Sequence, residues 1–135
     1  MQLNPLSSTA APTETFTGAV YLTMLAAGES PSRLGTALVR FTPGARTYWH
    51  SHPLGQVLHV TEGVALVGTR DGKVVRARAG DTVVCSPDEE HWHGAASDAF
   101  AAHVAIQEAG DDGPVTWLDP VSDTDYAAAD ERARA

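Results

Sequence analysis

From Thr36 to Glu108 the chain divides into short β-rich runs at near-even spacing, most of them closed by a glycine, a proline or an Asp-Gly pair. "TALVRF" ends at Pro43-Gly44, "RTYWHSH" at Pro53, and "GQVLHVTEG" runs from one glycine to another. "VALVGTRDGKVVRARAG" reads as a hairpin with Asp71-Gly72 as a two-residue turn. "DTVVCSP" closes at Pro87, and "HWHGAA" and "AFAAHVAIQE" supply two further strands. No convincing helical pattern separates these runs. Strands so punctuated predict an all-β barrel or sandwich.

The ends differ from this middle. "MQLNPLSSTAAPTETF" is polar and rich in proline, serine and threonine, and residues 1–15 are expected to form a flexible N-terminal arm. It lacks the basic and apolar regions of a secretory signal. Near the other end, Ser122 is placed to cap a short helix beginning around Asp123, after an extended piece at "VTWLD". The expected organisation is one domain over residues 16–126 and a C-terminal tail over 127–135, in keeping with a length of 135 residues.

The charge balance narrows the function. A formal net charge of −8 and the absence of a Lys/Arg cluster exclude the footprint of a nucleic-acid binder. No apolar run reaches the ~20 residues of a membrane-spanning helix. Cys85 is the single cysteine, so neither an intrachain disulfide nor a cysteine zinc cluster can form, which fits a reducing cytoplasm.

Side chains alternate across a strand, so His50 and His52 of "HSH" share a face. Gln56 can return to that face after the Pro53-Leu54-Gly55 break. His91 and His93 of "HWH" share a face with Trp92 opposite, and "HVAIQ" puts His103, Ala105 and Gln107 together. One histidine in a strand is ordinarily a surface or hydrogen-bonded residue. Two H-x-H pairs in one small β-domain favour a transition-metal site over a set of structural histidines, because imidazole is the commonest such ligand.

These motifs resemble those of the cupins. Gly44, His50-Ser51-His52, Gln56 and Gly63 match the spacing of the first cupin motif, with glutamine where glutamate is usual. "GDTVVCSPDEEHWH" matches the second, from Gly80 to His91, with Pro87 one place late. "PGARTYWHSHPLGQ", "SPDEEHWHGAA", "HVAIQE" and "VTWLDPVSDTDY" are similar to small bacterial cupins that act as manganese-dependent hydroxynitrile lyases. The resemblance spans about Phe16 to Tyr126. It implies a double-stranded β-helix, or jelly-roll barrel, assembled as a homo-oligomer such as a dimer or tetramer. It implies one divalent metal per subunit held by His50, His52, Gln56 and His91. Mn²⁺ enters through the resemblance, and the N/O donors also suit Fe²⁺, Ni²⁺ and Zn²⁺.

Three imidazoles and an amide leave the metal's charge unneutralised, which suits Lewis-acid chemistry on a small cyanohydrin. His93 is the first choice for general base and His103 the second. Gln107 is expected to orient the small-molecule substrate, and Ala37 and Val39 to line the pocket or pack in the core. The alternatives are a cupin dioxygenase acting on a small phenol or diketone and a non-catalytic binding cupin. His59 is expected to face outward, Cys85 to pack in a strand, and Asp81 to shape the turn after Gly80. Trp49 and Trp92 are expected behind the site or at a subunit contact, and Trp117 to anchor the C-terminal segment.

Overall fold

A computed structural model describes residues 1–135. The strands are β1 (Ser8–Ala10), β2 (Phe16–Thr17), β3 (Val20–Ala27), β4 (Leu34–Phe41), β5 (Arg46–Thr47), β6 (His50–Ser51), β7 (Gln56–Thr69), β8 (Val74–Arg78), β9 (Thr82–Cys85), β10 (His91–Ala95), β11 (Ala101–Glu108) and β12 (Thr116–Trp117). One helix, α1 (Asp123–Arg134), follows.

The strands pair antiparallel in the order β1-β3-β4-β11-β7-β10-β5-β2, curling into a jelly-roll barrel. Strand β7 belongs to both walls. Its first half, Gln56–Val60, pairs with β11 and β9, and its second half, Val64–Thr69, pairs with β10 and β8. The two runs expected as separate strands on either side of Gly63 are therefore one strand of 14 residues. Gly63 permits this: its φ is +71°, and a Cβ there would collide with the Phe100 carbonyl.

The β7–β8 hairpin also differs from expectation. The Thr69 amide donates to the Lys73 carbonyl at 3.0 Å, so Arg70, Asp71 and Gly72 form a three-residue loop. Gly72 takes the left-handed conformation, with φ +86°, that such loops require at their last position.

Alternation fills the barrel. Phe41, Val39, Leu58, Val60, Val67, Ala95 and Ala105 form the main core between the walls. Trp49, Leu66 and Trp92 project to the other side of their sheet and pack with Val121, Tyr126 and Ala129 beneath α1. The buried guanidinium of Arg46 fastens this layer: it donates to the Val121 carbonyl at 2.9 Å and to Asp123 at 2.7 Å, and lies 4.5 Å from the Tyr126 ring centroid.

Regular structure extends into both termini. Ser8–Ala10 pairs with Thr23–Tyr21. The helix crosses the boundary set after Tyr126 and reaches Arg134, because Tyr126, Ala129 and Asp130 are buried along it. Its N-cap is Ser122, whose hydroxyl accepts from the Asp125 amide at 3.0 Å. This helix is neither long nor apolar enough to cross a membrane.

Candidate metal centre

The histidines converge because strand pairing stacks them. His91 on β10 is in register with His50 on β6, and their ring centroids lie 4.4 Å apart. His52 follows β6 and lies 5.1 Å from His50 and 5.6 Å from His91. Gln56 opens β7 and places Oε1 3.1 Å from His91 Nε2. All four side chains are buried.

Three rings are oriented alike. His50 Nδ1 donates to the Tyr48 carbonyl at 2.9 Å, His52 Nδ1 to the Pro114 carbonyl at 2.7 Å, and His91 Nδ1 to the Glu89 carbonyl at 2.9 Å. A carbonyl only accepts, so each ring carries its proton on Nδ1 and presents a lone pair on Nε2. Outer hydrogen bonds of this kind orient metal-ligating histidines in general. His52 Nε2 is buried with no partner. His91 Nε2 faces the oxygen of Gln56, acceptor against acceptor, while the Gln56 nitrogen donates to Gln107 Oε1 at 3.0 Å. Lone pairs converging without a proton between them fit a cation.

Burial also keeps the rings neutral. It pushes His50 well below the ordinary histidine value, and the neighbouring His91 adds to this. It lowers His52 and His91 as well, with the Pro114 and Glu89 carbonyls opposing it in part.

His93 is held differently. Its Nδ1 lies 2.9 Å from His103 Nε2, so its partner is another imidazole instead of a carbonyl. Burial pushes His93 well down and His103 to about 4. His93 Nε2 is buried without a partner. The ring nitrogens of His50, His91 and His93 fall within 4.8 Å of one another, so three imidazoles can hold an ion together.

A cavity of about 150 Å³ adjoins these groups. His50, His52, Gln56, His93 and Gln107 give it polar atoms, and Phe16, Val39, Ala105, Val115 and Trp117 make its apolar wall. Ala37 shares the face of Val39 but packs against the main core, and its single methyl group does not reach the cavity. His103 stands behind His93, fully buried.

Trp117, expected as an anchor, lines the cavity because β12 pairs with β6 and sets Trp117 opposite His50. Phe16, Thr47, Pro114 and Val115 were not singled out from sequence, and no local motif marks them. Of the remaining residues, Cys85 stands beside the centre, in register with Gln56. His59 is exposed beside Thr82, Cys85 is buried with its thiol pushed up to about 12 by burial, and Asp81 accepts from the Arg78 amide at 2.8 Å.

A double-walled β-barrel enclosing converging histidines defines the jelly-roll class of small-molecule and metal-binding domains. The chain belongs to the cupin family, whose domain model matches residues 37–106. It is 44% identical over 115 residues to a protein of Granulicella tundricola named (R)-mandelonitrile lyase, covering 85% of this chain and 88% of that one. A cupin-like protein from Thermotoga maritima has a solved structure with a TM-score of 0.84 and 36% identity, over 90% of this chain and 92% of that chain. A cupin-2 domain protein from Rhodospirillum rubrum gives a TM-score of 0.69 at 18% identity, over 94% and 84%, a likeness of fold alone.

Proposed function

We propose that this chain is a metal-dependent lyase that cleaves, and in reverse forms, small cyanohydrins. The observation that carries the reading is the His93–His103 pair, set at 2.9 Å beside four convergent donors and a cavity of about 150 Å³. A cavity of about that size has room for one benzene ring, and its apolar wall of Phe16, Val39, Ala105, Val115 and Trp117 suits a substrate with a single aryl group. The 44% identity to a named mandelonitrile lyase supports the same reading.

His50, His52, Gln56 and His91 are the proposed ligands, since each presents a lone pair held in place from outside the centre. Mn²⁺ is the proposed metal, and Fe²⁺, Ni²⁺ and Zn²⁺ suit the same donors. When bound, the metal supplies positive charge that stabilises negative charge on a substrate oxygen.

His93 is assigned to proton transfer because His103, unlike a carbonyl, can either donate to Nδ1 or accept from it. With His103 donating, His93 Nε2 carries the proton; with His103 accepting, Nε2 is a base. In cleavage His93 takes the hydroxyl proton of the cyanohydrin. The C–C electron pair leaves with cyanide as the carbonyl forms, and the proton released to His93 returns to cyanide as hydrogen cyanide. Val39, Ala105 and Trp117 exclude water around the reacting carbon.

The test is benzaldehyde and cyanide release from mandelonitrile by Mn²⁺-loaded protein, against a His52→Ala control. Oxygen uptake with catechols or diketones, without cyanide release, would replace this reading by the oxygenase. We further propose a cytoplasmic homo-oligomer, dimer or tetramer, for which the exposed side chains of Met24, Leu54 and Val84 offer apolar surface. Sedimentation analysis measures the subunit number.

A further inference from the structure

We propose that Gln107 is a positioning residue for the metal centre: it selects which end of the Gln56 amide faces the ion. This rests on the metal-centre reading above and gives Gln107 a role other than contact with substrate.

An amide side chain has two unlike ends, of which only the oxygen can hold a cation. Nothing in Gln56 itself decides which end faces the centre. Its neighbours pull in opposite directions. His91 Nε2 carries a lone pair, because the Glu89 carbonyl holds the ring proton on Nδ1 at 2.9 Å. Without an ion, a Gln56 amide turned by half a revolution would donate its N–H to that lone pair, 3.1 Å away, and would block the centre. Gln107 opposes this turn. Its Oε1 accepts from Gln56 Nε2 at 3.0 Å, which leaves the Gln56 oxygen directed at His91 and the ligand group.

The fold builds the pair. Ile106 and Ala105 on β11 are in register with Val57 and Leu58 on β7, so Gln107 and Gln56 follow each other off the end of that ladder into the cavity. On the far side Gln107 is opposite Gly35 of β4. A Cβ at Gly35 would stand 3.1 Å from Gln107 Nε2, so the absence of a side chain there leaves the Gln107 amide its room. A carboxylate in place of Gln56 would need no such partner, since both its ends are oxygens.

The test is equilibrium binding of Mn²⁺, read as free Mn²⁺ by electron paramagnetic resonance, with folding checked by circular dichroism. Gln107→Leu, which lacks an acceptor, is expected to weaken binding roughly tenfold, at the low end of what outer partners of metal ligands contribute. Gln107→Glu keeps the acceptor and is expected to bind at least as tightly as the natural chain. In a Gln56→Glu background, Gln107→Leu is expected to change binding by less than about threefold, because the orienting contact is no longer needed. Equal loss in both backgrounds, or no loss with Gln107→Leu in the natural background, would overturn the proposal while leaving the metal centre standing. Failure of the natural chain to bind Mn²⁺, Co²⁺, Ni²⁺ or Zn²⁺ would remove the centre and the proposal together.

Discussion

The indole of Trp117 lies 4.7 Å from the imidazole of His50, centroid to centroid, tilted by 43°. The same indole meets Phe16 at 5.7 Å. Three segments far apart in sequence therefore share one cavity wall. Replacing Trp117 with alanine is expected to enlarge the cavity and remove about 1–2 kcal/mol of apolar contact with a bound aryl group. For mandelonitrile, KM is then expected to rise about tenfold, and the bulkier naphthyl cyanohydrin to become a substrate. Steady-state kinetics on the two cyanohydrins measures both changes.

Substitution of His52 and of His93 tests the proposed division between ligand and base. His52→Ala removes a ring whose Nε2 has no other partner, and Mn²⁺ is expected to be lost on dialysis. His93→Ala is expected to keep Mn²⁺ and to lower kcat by about 10²–10⁴, the usual contribution of a positioned base. Metal content and turnover measured on the same preparations give the answer. Loss of metal from His93→Ala would instead assign the ion to His50, His91 and His93.

Arg46 and Asp123 form an ion pair whose two sides carry unequal weight. The Arg46 side chain is 6% exposed and that of Asp123 96%. Arg46→Met is expected to cost about 2–3 kcal/mol, because the buried Val121 carbonyl and the Tyr126 ring lose their partner. Asp123→Ala is expected to cost under about 1 kcal/mol, the ordinary contribution of an exposed charge. Urea unfolding of the two variants compares them directly.

Asp130 makes the attachment of α1 sensitive to acid. Burial pushes its carboxyl up, but the Ser97 hydroxyl and amide and the Arg134 guanidinium outweigh that and hold it below the ordinary carboxylate value. A value lower in the folded chain than in the unfolded chain stabilises the fold at every pH above the unfolded value. That stability disappears as pH falls through the folded value. Asp130→Asn is therefore expected to lower the unfolding midpoint at neutral pH, with the gap closing below about pH 4. Thermal unfolding across that range checks the sign.

The two histidine pairs were legible because alternation is a local rule. It needs only that His50, His52, His91 and His93 lie in extended chain, and it sends Trp49 and Trp92 to the opposite layer. Ser122 was legible for a similar reason, since a cap is decided by the next few residues. Trp117 and Phe16 were not. They reach the cavity through the β12–β6 and β2–β5 pairings, and neither two-residue strand has a periodicity to read. The third loop residue, Arg70, was missed because Asp-Gly suits both two- and three-residue hairpins. Strand β3 escaped notice because "VYLTMLAA" does not alternate cleanly, and its register shifts between Met24 and Ala26. The length of α1 depended on contacts that Tyr126, Ala129 and Asp130 make with distant parts of the chain.

Strand β7 joins both walls without interruption, with Gln56 at its start and Thr69, in register with His91, at its end. Thirteen steps of straight strand would hold those ends about 43 Å apart, yet Gln56 meets the His91 side chain at 3.1 Å, so β7 bends sharply around the barrel between its halves. One residue inserted into either half would shift that half's register and turn every later side chain to the wrong face. An insertion at Arg70–Gly72 would fall beyond the last paired position and leave the centre as it is. Homologues that differ in length between their two histidine motifs should therefore carry the difference at the hairpin tip, and the barrel wall should keep its length.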